Sequence, residues 1–255
     1  LAVLLLLGGW LITNNTEIKS TSVSDSINSQ SIDSALRNTT TNSWYTESAA
    51  AVAQSNSHIQ RIATQPGSAK NIILFVGDGM GVSTVTAARI LDGQQKGMSG
   101  EENSLSFDRF PFVGLSKTYN VDAQTPDSAG TMTAMISGVK TDAGTLGVDE
   151  DVIRGDCESV AGNQLFTALE LAEIAGLSTG IVSTARITHA TPAATYAKSP
   201  ERDWEDNSML PDAALSAGCE DIALQLINFK ANLQARYGGA ANDHVTNGIE
   251  VVMGG

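Results

Sequence analysis

The stretch NIILFVGDGMG, residues 71–81, decides the fold. Its first six residues are an almost unbroken apolar run, the pattern of a strand buried on both faces rather than of a half-exposed strand, which would alternate. Three glycines, Gly77, Gly79 and Gly81, then break the run, and STVTAARIL (83–91) places apolar residues at helical spacing. A buried strand, a glycine turn and a helix in that order predict an α/β unit, with Asp78 at the carboxyl edge of the strand.

The same alternation continues downstream. LFTALELAEIA (165–175) reads as an amphipathic helix stopped by Gly176, STGIVS (178–183) as a buried strand, DIALQLINF (221–229) as a further helix and IEVVM (249–253) as a strand. The expected architecture is therefore a three-layer α/β/α sandwich with a mostly parallel central sheet, in which sites gather at the carboxyl edges of the strands.

Upstream the chain changes character. Residues 1–12 (LAVLLLLGGWLI) resemble the apolar core of a signal peptide; at this length they are too short to span a bilayer, and an anchor is left open. Residues 13–66 are rich in Ser, Thr, Asn and Ala without sustained periodicity and read as a solvated leader or linker, leaving 67–255 as the globular part. At 255 residues and 42% hydrophobic, the chain can bury one large core or two small ones. A net charge of -13 argues against a protein that holds nucleic acid or an anionic membrane by general electrostatics. An anionic ligand would have to be captured locally.

Several residues can do that. Asp78, between glycines at a strand end, suits a hard carboxylate ligand for Zn²⁺ or Mg²⁺, against the simpler reading of an Asp in a tight turn. The spacing Gly-x-Gly-x-Gly is not a dinucleotide fingerprint, and a carboxylate inside the turn would repel a pyrophosphate. Ser128 follows Pro126 and Asp127 and opens the helix-compatible run AGTMTAMI (129–136), where backbone amides and the helix dipole favour anions. The plainer alternative is that Asp127 or Ser128 only caps this helix. His189 and Thr191 lie on one side of a segment read as extended, and Arg202 carries a planar fork that can grip two phosphate oxygens. With no Gly-x-Ser-x-Gly elbow and few histidines, a Ser-His-Asp triad is a poor fit, and metal activation of the serine is favoured.

Taken in order, Gly77-Asp78-Gly79-Met80-Gly81, Pro126-Asp127-Ser128-Ala129-Gly130-Thr131, Gly144-Thr145-Leu146-Gly147-Val148, His189-Ala190-Thr191-Pro192-Ala193 and Arg202 resemble the alkaline phosphatases. The resemblance runs from about residue 71 to 255 and implies the N-terminal part of that catalytic domain, truncated at its C-terminus. It implies two Zn²⁺ and one Mg²⁺, with Asp78 bridging a zinc and the magnesium, Ser128 binding that zinc and becoming phosphoserine, and Thr191 binding magnesium. It also implies that Arg202 clamps the substrate phosphate, Asp127 orients Arg202, and His189 stands near the magnesium without ligating it.

Small-molecule phosphomonoesters are the implied substrates, a homodimer the implied assembly, and the periplasm or the extracellular space the implied compartment. The spacing of Cys157 and Cys219 resembles family members in which the pair forms a disulfide. Because the remaining metal ligands of the family lie farther toward the C-terminus than Gly255, these 255 residues alone are expected to be inactive. The competing readings are a phosphodiesterase of the same superfamily and a noncatalytic phosphate-binding fragment. A sulfatase is disfavoured because Ser128-Ala129-Gly130 does not supply the Cys/Ser-x-Pro-x-Arg context.

Overall fold

The computed structural model describes residues 39–64, 67, 69–237 and 248–255. The apolar run at 1–12 and most of the expected leader lie outside these residues. The chain divides into two units, Leu1–Ala69 and Lys70–Gly255.

In the first unit, within the stretch read as a solvated leader or linker, Ser43–Thr64 is a helix, α1, of 22 residues. Its Ala-rich centre, residues 49–53, favours helix by propensity, and it buries none of its residues. Lacking an apolar stripe, it gave no periodic signal to read.

The second unit contains α2 (Val82–Gln95), α3 (Ser128–Ser137), α4 (Ala168–Ile174), β1 (Gly180–Val182), α5 (Ala190–Ala193), α6 (Asp212–Ser216), α7 (Ile222–Ile227), α8 (Phe229–Tyr237) and β2 (Val251–Met253). β1 and β2 pair in parallel, with Gly180 opposite Val251 and Val182 opposite Met253. This is the crossover expected of an α/β fold, because parallel neighbours need a long connection between them. Among the described residues the sheet has two strands.

The deciding stretch behaves as a correction. Residues 71–76 belong to no helix and no ladder, and Ile72, Ile73 and Phe75 are 90%, 76% and 86% exposed. A doubly buried strand needs neighbours on both edges and cover on both faces, and the described residues supply neither to this run. The glycine turn and the helix after it form as expected: Met80 N–H donates to Gly77 C=O, Gly79 takes φ +67°, and Gly81 is the N-cap of α2.

The main core joins α3, α4, β1, α7 and α8 through Ala129, Met132, Leu146, Leu169, Ile181, Tyr196, Ile222, Phe229 and Leu233. α4 starts as a capping box: Thr167 accepts from the Glu170 N–H, and the Glu170 carboxylate accepts from the Thr167 N–H. A second small core, Trp204, Leu210 and Ala214, packs against the Cys157–Cys219 disulfide. No helix of the described residues is long and apolar enough to cross a membrane.

Candidate phosphate and metal site

α3 begins where its sequence dictates. Asp127 is extended (φ -109°, ψ 168°), so its Oδ1 reaches the N–H of Gly130 at 3.0 Å, and Ser128 becomes the first helical residue. The cap is therefore Asp127, and the Ser128 hydroxyl is left for other work. The helix closes at Gly138, whose φ of +80° only glycine adopts readily.

Asp127 is a junction of four donors. Oδ1 also accepts from the Asn120 amide at 2.8 Å, while Oδ2 accepts from the Gly144 N–H at 3.0 Å and from Arg202 Nη1 at 3.0 Å. Burial alone would raise its pKa. The Gly130 N–H, the Asn120 amide and the Arg202 guanidinium outweigh that and hold the carboxyl below the usual range, so it stays an anion.

Arg202 reaches this junction from 75 residues away. Its Nη1 also lies 3.2 Å from Ser128 Oγ, and its Nη2 lies 3.2 Å from His189 Nε2. The Arg202 N–H donates to Gly144 C=O at 2.8 Å, so Gly144 touches both Asp127 and Arg202 through its backbone.

His189 and Thr191 are not on an extended segment as the sequence suggested. His189 is the N-cap of α5, and Thr191 lies inside that short helix. Alternation along a strand was assumed for a four-residue helix too short to show a period. Thr191 Oγ1 donates to Asp78 Oδ2 at 2.9 Å, which brings the glycine-turn carboxylate to the same helix start.

On its other flank, His189 is within electrostatic reach of Glu205. Glu205 is pushed down to about 2 by the Arg186 fork at 2.8 and 2.6 Å, against the opposing effect of burial and with help from the Thr188 hydroxyl. His189 Nδ1 is buried with no hydrogen-bond partner among the described residues.

Ser128, Asp127 and His189 thus meet at Arg202, and Asp78 meets Thr191, two residues beyond His189 in α5. The six residues read as candidates for this site fall into these two groups. Asn120 and Gly144 were missed as participants. An asparagine seven residues before the aspartate gives no signal, and the run Gly144-Thr145-Leu146-Gly147-Val148 counted toward the resemblance without a role for Gly144.

Chemically, the arrangement sets a hydroxyl beside a guanidinium at a helix N-terminus, a setting for a tetrahedral oxyanion. Asp78 and Thr191 add two hard oxygens. Among the described residues no group of three or more His, Cys, Asp or Glu side chains that could hold a metal ion comes together.

The alkaline phosphatase family profile matches residues 69–251. The tissue-nonspecific alkaline phosphatase of Rattus norvegicus is 52% identical over 187 residues, covering 73% of this chain and 33% of the relative. The alkaline phosphatase of Gadus morhua is 52% identical over 171 residues, covering 67% and 36%. The cold-active alkaline phosphatase of a Shewanella species superposes with a TM-score of 0.43 at 28% identity, covering 55% of this chain and 37% of that one. The chain spans about a third of the length of the curated relatives it matches.

Proposed function

The chain belongs to the alkaline phosphatase family, and we propose on that premise that the complete gene product hydrolyses phosphomonoesters through a phosphoserine formed on Ser128. The single observation that carries the reading is the contact of Arg202 Nη1 with both Ser128 Oγ and Asp127 Oδ2, at 3.2 and 3.0 Å.

In the first step Ser128 Oγ attacks phosphorus, its bond to phosphorus forms and the bond to the leaving oxygen breaks, while the hydroxyl proton is lost to solvent and the leaving oxygen takes one up and departs as the alcohol. The Arg202 fork offers N–H donors to two nonbridging oxygens, and Asp127 keeps that fork from swinging away. The first amides of α3 add a fixed positive potential where charge develops. In the second step water attacks the phosphoserine, releasing inorganic phosphate and restoring the hydroxyl.

A serine hydroxyl is a weak nucleophile, so the site needs an activator. Asp78, Thr191 and Ser128 are the residues of this chain that would hold Zn²⁺ and Mg²⁺, and bound ions would supply charge to stabilise the alkoxide and the leaving oxygen. The Asp78–Thr191 oxygen pair and the unpartnered His189 Nδ1 support that fit. The donor set is partial, and it supports the reading that this 255-residue chain alone turns over little or no substrate.

Export to the periplasm or the extracellular space is supported by the Cys157–Cys219 disulfide, since such bonds persist in oxidising compartments.

The test is hydrolysis of a chromogenic phosphomonoester at alkaline pH by the complete product. Activity is expected to fall with chelator, return with zinc plus magnesium, and drop by at least about a thousandfold in Ser128→Ala. Full activity in that variant would refute the nucleophile. Phosphate binding without turnover would instead favour a noncatalytic phosphate-binding role.

A further inference from the structure

We infer that Arg154, which no motif singled out, is a positioning residue for Arg202. The inference rests on the phosphatase reading above and adds a residue outside the proposed site that sets its geometry.

Arg154 Nε donates to Glu201 Oε2 at 2.8 Å and Nη2 to Glu201 Oε1 at 2.9 Å, a parallel two-bond fork across 47 residues. Parallel bonds fix orientation as well as distance. Glu201 immediately precedes Arg202 and is pinned further: its N–H approaches Ser199 Oγ, its C=O accepts from that hydroxyl at 2.8 Å, and its Oε1 accepts from the Asp203 N–H. The Gly155 N–H, next to Arg154, donates to Pro200 C=O at 2.9 Å, so the two segments are also joined through their backbones.

The same guanidinium lies against Gly144. A Cβ at that position would overlap the Arg154 guanidinium, and the φ of +85° independently favours glycine. Gly144 is the residue whose N–H holds Asp127 Oδ2 and whose C=O holds the Arg202 N–H. Arg154 therefore presses on one side of a closed circuit, Asp127 to Gly144 to Arg202 to Asp127, and grips the residue beside Arg202 on the other. It acts on the phosphate clamp through Gly144 and Glu201.

Exposure separates this role from simple stabilisation. The Arg154 side chain is 48% exposed, and ion pairs of such groups contribute little to folding. A purely structural residue would show its loss in melting temperature; a positioning residue shows it in phosphate binding.

The test uses the complete gene product, first establishing Ser128-dependent turnover. Arg154→Ala and Glu201→Gln are each expected to raise KM and the inhibition constant for inorganic phosphate about tenfold, with the melting temperature within about 3 °C of wild type. Arg154→Lys is expected to lose nearly as much, because an ammonium keeps the charge without the fork. In an Arg202→Ala background, Arg154→Ala is expected to have no further effect on phosphate inhibition.

Wild-type constants in Arg154→Ala, full recovery in Arg154→Lys, or an undiminished effect without Arg202 would each overturn the positioning role. Turnover that survives Ser128→Ala would remove the underlying reading itself. Turnover that depends on Ser128 but is untouched by Arg154→Ala would remove this inference alone.

Discussion

Glu170 is fully buried at the start of α4 and carries two cations: Lys198 Nζ lies 2.9 Å from its Oε2, and Arg236 Nη1 lies 3.2 Å from its Oε1. Replacing it with alanine leaves Lys198, whose side chain is 4% exposed, without its counter-charge. Breaking one partner of a buried pair costs about 3–5 kcal/mol, a large share of the 5–15 kcal/mol typical of a folded domain. The capping bond to the Thr167 N–H is lost as well. Lys198→Met should cost less, since Glu170 keeps Arg236 and that N–H, and the double variant should cost less than the sum of the two.

The cluster also gives a pH signature. Burial pushes Lys198 from an ordinary 10.5 down to about 8, with Glu170 offsetting part of that effect. Between about pH 8 and 10.5 the unfolded chain then binds more protons than the folded one, so this group's contribution to stability rises with pH by about 3 kcal/mol across that window. Lys198→Met should flatten the rise, and the Glu170→Ala penalty should shrink as pH increases and Lys198 becomes neutral. The assay is urea unfolding of the disulfide-intact protein, followed by the fluorescence of buried Trp204, at several values between pH 6 and 10.5. A Glu170→Ala penalty below about 1 kcal/mol at pH 7, or strict additivity with Lys198→Met, would refute the reasoning.

Two further outcomes are expected. Cys157→Ser with Cys219→Ser opens a loop closed over 62 residues and should cost about 4 kcal/mol, read as a lower urea midpoint that reductant reproduces in the wild type; an unchanged midpoint would show that the unfolded chain is not constrained by the bridge. Asp127→Ala should cost about 1 kcal/mol for the lost cap of α3 and about 1–3 kcal/mol for leaving the Gly144 N–H and the Asn120 amide without their acceptor; Asp127→Asn, which keeps a capping oxygen, should recover the first part in the same unfolding experiment.

What the sequence determined by itself was local. The glycine turn at 77–81, the helices near 83–91, 165–175 and 221–229, the strands at 178–183 and 249–253, and a helix starting at Ser128 follow from short-range steric and capping rules that act within a few residues. The order of the motifs was also legible, and with it the family.

Tertiary structure decided the rest. Asp127 and Ser128 were equal candidates for the cap until extended backbone at Asp127 aimed its carboxylate at Gly130 and left the hydroxyl facing Arg202. The 71–76 run shows the limit from the other side: apolarity says that a strand wants cover, but not what covers it, and among the described residues nothing pairs with it. The roles of Gly144 and Arg154 were not readable because they are contacts across 17 and 47 residues, and pairings at that range are set by chain packing rather than by any pattern along the sequence.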